Sequence, residues 1–400
     1  PIWTDIQGKI EALVETDLIS SDQAQEYIAQ AQEILAGEVM SSYQEILAWL
    51  EQDKAFASET SQGVWALPNG ENYYNYRLAQ MTTLEFTADE IHEIGLSEVK
   101  RLHLAMEKIK TAVDFKGSLQ DFFVFMREDD RFYFPNTDEG RQDYLDLNNA
   151  YLDAITLKLP DYFGRLPKAQ LEVRRVEYFR EQTGAAQHYA SGTPDGSRPG
   201  VFYSHMSDMS TLPIFQLEDV AYHEGSPGHH MQISIQQELT GVPRFRTQYR
   251  TTAYTEGWGL YAEWLAKEMG AFEDPYSDFG RLSGELWRAI RLVVDTGIHA
   301  QQWSEERAAQ YFIDNSAQAE GTIRSEIQRY ITWPGQATAY KIGMMKFQEL
   351  RLNAESALGK NFDIRTFHDV VLGVGALPMP LLESRVDRWI EKVQSESGER

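Results

Sequence analysis

The stretch Y-H-E-G-S-P-G-H-H-M-Q at 222–232 is the one around which the rest of the chain has to be read. The chain has nine histidines in 400 residues, and three of them, His223, His229 and His230, fall here. His223 is followed at once by Glu224, the pairing used when one residue holds a metal and the next works on its water. A zinc hydrolase needs two neutral imidazoles, a third protein ligand and an open position. It also needs a general base within hydrogen-bond reach of the water. The usual helical solution is H-E-x-x-H, where i and i+4 share one face. Here Pro227 stands at i+4, and the next histidines follow at i+6 and i+7. In a straight helix i+7 lies about 10 Å along the axis, too far to share one ion. Pro227 interrupts helical hydrogen bonding, and Gly225 and Gly228 accept backbone shapes closed to other residues. The expectation is a loop-out of two or three residues that returns His229 or His230 to the place of i+4. The competing reading is a helix end whose histidines pack or face water.

Downstream, Y-T-E-G-W-G-L-Y-A-E at 254–263 reads as a second helix. Trp258, Tyr261, Ala262 and Leu265 give an apolar stripe at i, i+3, i+4 and i+7. A carboxylate from such a helix completes a two-histidine zinc site, and Glu256 and Glu263 both qualify. Solvated surface charge is the commoner fate of a helical glutamate.

The two runs together resemble the bacterial family called domain of unknown function 885, with signatures H-E-x-x-P-G-H-x-x-Q and E-G-W-x-x-Y-x-E. The similarity continues through R-L-V-V-D-T-G-I-H (291–299), R-Y-I-T-W-P-G-Q-A-T-A-Y-K-I-G (329–343) and F-H-D-V-V-L-G-V-G-A-L-P (367–378). That family is similar to the gluzincin metallopeptidases, mostly helical proteins with two histidines and a glutamate on zinc. The resemblance implies His223, His229 and Glu256 as zinc ligands and Glu224 as the base. The family's fixed histidine is the one after P-G, which favours His229 over His230. It further implies a mainly α, multi-helix, gluzincin-like architecture with a small β element next to the metal. Gluzincins commonly add a tyrosine or histidine that steadies the oxyanion. Tyr340 is the candidate and His299 its rival, while Arg291 is a candidate to hold a substrate carboxylate. Family members are usually longer at the N-terminus and often exported, so an extracytoplasmic location and a truncated N-terminus are expected.

Composition bounds the alternatives. The hydrophobic share of 42% with 12% aromatics is that of a folded chain able to bury a sizeable core. There is no cysteine, which leaves His, Asp and Glu as ligands for any metal. A formal net charge of −24 argues against nucleic acid or an anionic membrane as partner. No apolar run reaches the length of a transmembrane helix. Residues 1–160 read as successive helices, with a cap at Ser21-Asp22 for a helix to about Val39, a capping box at Thr87–Glu90 and a start at Ser118. His92 and His103 lie among them without a partner motif and are assigned to structure. Residues 161–400 read as the metallohydrolase region. Short strands are expected at 171–179 and 200–204, the loop 192–200 shapes a cleft wall, and the zinc-site helices follow. The expected function is zinc-dependent hydrolysis of peptide bonds, with a peptide or small amide as the expected substrate. A zinc hydrolase of an ester or non-peptide amide and a metal-stapled binding protein are the alternatives, and Glu224 weighs against the last.

Overall fold

The computed structural model describes residues 2–58, 60–182 and 185–398. The chain divides into two compact units, Pro1–Ser61 and Gln62–Arg400. The first holds α1 (Ile2–Glu15), α2 (Ser21–Ile34) and α3 (Met40–Asp53). Ser20 caps α2: its hydroxyl accepts the Gln23 N–H, and the Gln23 side chain accepts the Ser20 N–H in return. The helix expected to stop near Val39 does not stop. A π-helical turn at Leu35–Val39, carrying Gly37, leads it directly into α3.

The second unit begins with α4 (Gly70–Thr82), α5 (Ala88–Ala112), α6 (Leu119–Glu128), α7 (Asp138–Thr156) and the single turn α8 (Leu159–Tyr162). Thr87 with Glu90 and Ser118 with Asp121 form reciprocal capping boxes that open α5 and α6. Three short strands follow: β1 (Leu171–Arg175), β2 (His188–Ala190) and β3 (Gly200–Ser204). The sheet order is β1-β3-β2, with β1 parallel to β3 and β2 antiparallel to it. Phe202 of β3 is buried with Leu152 of α7 and Ala221, which seats the sheet on the helix that carries His223.

The remaining helices are α9 (Ile214–Glu224), α10 (His229–Gln237), α11 (Thr252–Glu268), α12 (Pro275–His299), α13 (Glu305–Asn315), α14 (Glu320–Thr332), α15 (Ala339–Leu358), α16 (Ile364–Leu372) and α17 (Met379–Gly398). The protein is therefore mainly helical with one small sheet. Among the described residues no helix is long and apolar enough to cross a membrane. α12 is buried along almost its whole length and packs between α5 and α9. One core, including Phe122, Phe279, Ile290 and Phe312, surrounds it. Another, including Trp258, Tyr261, Phe347 and Phe367, joins α11, α15 and α16. α11 and α15 cross with their backbones nearly touching. A Cβ on Gly343 would lie 2.1 Å from the Ala253 carbonyl, and one on Gly257 would lie 2.5 Å from the Gly343 carbonyl carbon. This crossing fixes how far α11 reaches toward α9.

Candidate metal centre

His223 and Glu224 end α9. The Gly225 N–H still bonds to the Ala221 carbonyl at 2.8 Å, but its φ of −90° and ψ of −132° take the chain out of the helix. Ser226, Pro227 and Gly228 fold back beneath the last turn. A Cβ on Gly228 would sit 2.0 Å from the His223 carbonyl oxygen, so only glycine fits there. α10 then starts at His229, and the His230 N–H reaches the Gly225 carbonyl at 3.1 Å. The result is that His229 lies beside His223, ring centroids 4.6 Å apart and planes at 78°. His230 turns the other way, its Nδ1 3.1 Å from the Tyr189 hydroxyl on β2. Burial lowers the pKa of His230 to about 4.

α11 supplies the other half. One oxygen of Glu256 lies 3.6 Å from His223 Nε2 and 3.4 Å from His229 Nε2. Two turns on, Glu263 accepts from His223 Nδ1 at 2.5 Å. Residues i and i+7 share a face about 10 Å apart along the axis, so the two carboxylates bracket the imidazole. Two further residues of the same run lock the helix in place. The Trp258 indole N–H donates to the Pro227 carbonyl at 2.9 Å. Gly259 lies flat against His223, where a Cβ would meet the ring at 2.6 Å.

These atoms fit a zinc ion. Four-coordinate zinc with N and O ligands at about 2.0–2.2 Å has ligand–ligand edges of roughly 3.3–3.6 Å. The Glu256 separations fall in that range, and the Nδ1–carboxylate bond of His223 is the usual device that turns Nε2 toward a metal. His229 Nδ1 finds no such partner among the described residues. Without an ion, burial disfavours charge on His223, but Glu256 and Glu263 outweigh it and raise its pKa to about 10. The carboxylate of Glu224 has an oxygen within 4.8 Å of donor nitrogens on both rings. Glu256 reaches both rings with one oxygen and so suits the third-ligand position better. Glu224 is left beside it, its pKa raised chiefly by burial.

Glu224 and Glu256 open onto a cavity of about 390 Å³, whose walls include His188, Tyr189, Trp287, Arg291 and Tyr340. Tyr340, in the first turn of α15, has its hydroxyl 3.3 Å from the Gln336 amide. Its pKa is raised by burial and then by the charge of Glu256. His299 is not brought here. Its Nδ1 accepts the Val64 N–H at 3.1 Å and its Nε2 donates to the Tyr330 carbonyl at 2.9 Å, a pairing that ties α12 to α14. His92 and His103 likewise bond to Thr296 and to the Asn315 carbonyl. The loop 192–200 does not line the cavity, because an Asp195–Ser197 turn closes it on itself. Segment 185–189 forms that wall instead. Strand β2, which contributes His188 and Tyr189, carried no readable signal at three residues. Glu263 did carry one, since its i+7 spacing from Glu256 is explicit in the sequence.

Fold and site define a mainly helical protein with a largely buried cluster of two histidines and three glutamates on a cavity that a small sheet helps to wall. The chain belongs to the bacterial protein family of unknown function numbered 885, whose model matches residues 4–386. It is similar to the crystal structure of a candidate lipoprotein from Colwellia psychrerythraea, with 38% identity and a TM-score of 0.91 over 98% of this chain and 66% of that one. A candidate lipoprotein of unknown function from Shewanella oneidensis shares the fold at 18% identity and a TM-score of 0.68, over 95% of this chain and 69% of that one. The chain thus spans about 66% of the length of the Colwellia protein. No curated protein matches it.

Proposed function

We propose that this protein is a zinc-dependent hydrolase of the gluzincin type, a metallopeptidase in which His223, His229 and Glu256 hold the ion. The observation that carries this reading is the single Glu256 oxygen set 3.4–3.6 Å from both imidazole Nε2 atoms, with Glu224 alongside in the same cavity. Zinc held by these residues would supply Lewis acidity, which polarises carbonyls and lowers the pKa of water. Glu224 takes the proton of the attacking water and passes it to the leaving amine. Glu263 keeps His223 in the tautomer that presents Nε2. Tyr340 donates a hydrogen bond from its hydroxyl to the oxygen on which negative charge develops. β2 is an edge of its sheet beside this cavity, a place where an extended peptide backbone can add as a further strand. The description of its structural relatives as lipoproteins supports an extracytoplasmic setting.

The deciding experiment is a screen of the purified, zinc-loaded protein against a peptide library, with Glu224→Gln as control. Cleavage that depends on Glu224 is the expected result. A protein that binds zinc but cleaves nothing in the library would leave the ion as a staple between α9, α10 and α11.

A further inference from the structure

The cavity that carries His223, His229, Glu224 and Glu256 is also lined by Arg291 of α12, though its side chain is only 8% exposed. Its Nε donates to the Tyr330 hydroxyl at 2.9 Å and its Nη2 to Glu326 at 2.9 Å. Its Nη1 is buried and finds no acceptor among the described residues. Buried guanidinium donors are rarely left unpaired, because the lost hydration is not otherwise replaced.

The surroundings favour an anion at that place. Glu326 is shared with a second guanidinium, that of Arg329, so one carboxylate answers two positive charges. The Arg291 guanidinium lies 4.6 Å from the centre of the Tyr340 ring. Arg329 donates to the Gln336 side-chain oxygen Oε1, and the Gln336 Nε2 donates to the Tyr340 hydroxyl. Arg291, Arg329, Gln336 and the proposed oxyanion donor Tyr340 are thus built into one network. The excess is local: the wall also carries Asp219, Glu224, Glu256, Glu263 and Glu326, and only around Arg291, Arg329 and Glu326 do cations outnumber carboxylates.

Resting on the hydrolase reading above, we infer that Arg291 receives the terminal carboxylate of the substrate. The protein would then trim peptides, or short acyl amino acids, from the C-terminal end. In that reaction water adds its oxygen to the scissile carbonyl carbon, the C–N bond breaks, and the leaving amine takes a proton through Glu224. At about 390 Å³ the cavity is near the small end of ligand sites, which suits a chain end better than a chain interior.

The test is calorimetric titration of the zinc-loaded Glu224→Gln protein, which binds without turnover. The probes are N-acetyl-alanyl-alanyl-phenylalanine and its C-terminal amide. The free acid is expected to bind at least about tenfold more tightly than the amide, as a charge-assisted pair outweighs a neutral one. Arg291→Gln should abolish that preference and Arg291→Lys should restore part of it. Because Arg291→Gln removes one of the two cations on Glu326, the pair Arg291→Gln with Glu326→Gln is made in parallel, and melting curves establish that each variant is folded. Equal affinity for acid and amide, no binding of either, or a preference that survives loss of Arg291 overturns the inference. Wild-type protein separates the two readings. Hydrolysis of the amide as fast as the acid keeps the hydrolase and removes the carboxylate site. A strong acid preference without hydrolysis does the reverse.

Discussion

Glu224 and Glu256 share one cavity yet take different parts, and substitution separates them. Glu224→Gln keeps size and hydrogen bonding but removes the proton acceptor, so zinc content should stay at one ion per chain while kcat falls by about a hundredfold or more. Glu256→Ala and His223→Ala should lose the ion by elemental analysis, and His229→Ala should lose far more than His230→Ala, whose ring faces Tyr189. Glu263→Gln tests the orienting bond to His223: zinc affinity is expected to drop about 10–100-fold with the fold intact. An unchanged zinc titration would show that Glu263 is only a buried acid. Tyr340→Phe should cost roughly 10²–10³ in kcat with little change in zinc content, as loss of one oxyanion donor does. At this scale the sequence was informative where spacing alone decides, as in the H-E pair and the two α11 glutamates. It was uninformative where orientation decides. Nothing in R-L-V-V-D-T-G-I-H tells that Arg291 meets a cavity while His299, eight residues on, spends both nitrogens on backbone.

Helix contacts carry the next set of effects. At the α11–α15 crossing a Gly343→Ala methyl has no room, so the helices must separate, at a cost of about 1–3 kcal/mol. Since α11 holds Glu256 and Glu263, the same change should weaken zinc binding. Urea unfolding and zinc titration on one sample check both, and a variant altered in neither would disprove the coupling. A second contact joins α5, α12 and α15, where Lys341 bonds Glu98 and Glu285 out of water. Burial opposes ionisation of Glu285, but Lys341 and Arg101 prevail and hold its pKa at about 2, below the ordinary 4.5. A depressed carboxylate adds stability above its unfolded value and loses it as pH falls toward the folded one. The melting-temperature gap between wild type and Glu285→Gln should therefore narrow as pH drops from about 5 toward 2. A gap that widened would reverse the assignment. Elements of this kind were legible when their signals were local: Thr87 with Glu90 and Ser118 with Asp121 announce α5 and α6 in four residues each. β2 was not legible, because three residues become a strand only by pairing with β3, and the π-turn at Leu35–Val39 hides inside an unbroken helical pattern.

For the whole molecule the dominant sequence quantity is charge. A formal −24 on 400 residues implies self-repulsion spread over the surface, which salt screens. The melting temperature should rise as sodium chloride is raised from about 20 mM to about 0.5 M, where the screening length falls to a few ångströms. A fall would mean that surface ion pairs, such as Arg324 with Glu306 and Glu320, outweigh the net field. Every residue assigned to the site lies in the unit Gln62–Arg400, and helices from both sides of residue 160 share its cores.

The bracketing of His223 by Glu256 and Glu263 also limits how this chain can change in length. Each added or deleted residue turns a helix by about 100° and shifts it about 1.5 Å. One insertion between 256 and 263 would swing one of the two carboxylates away from the imidazole and carry Gly259 or Trp258 off its seat. Substitution on the far face of α11 leaves the bracket untouched. This seven-residue interval is accordingly a gauge of fixed length, and related chains are expected to agree in its count and to differ in composition only away from Gly257, Trp258 and Gly259.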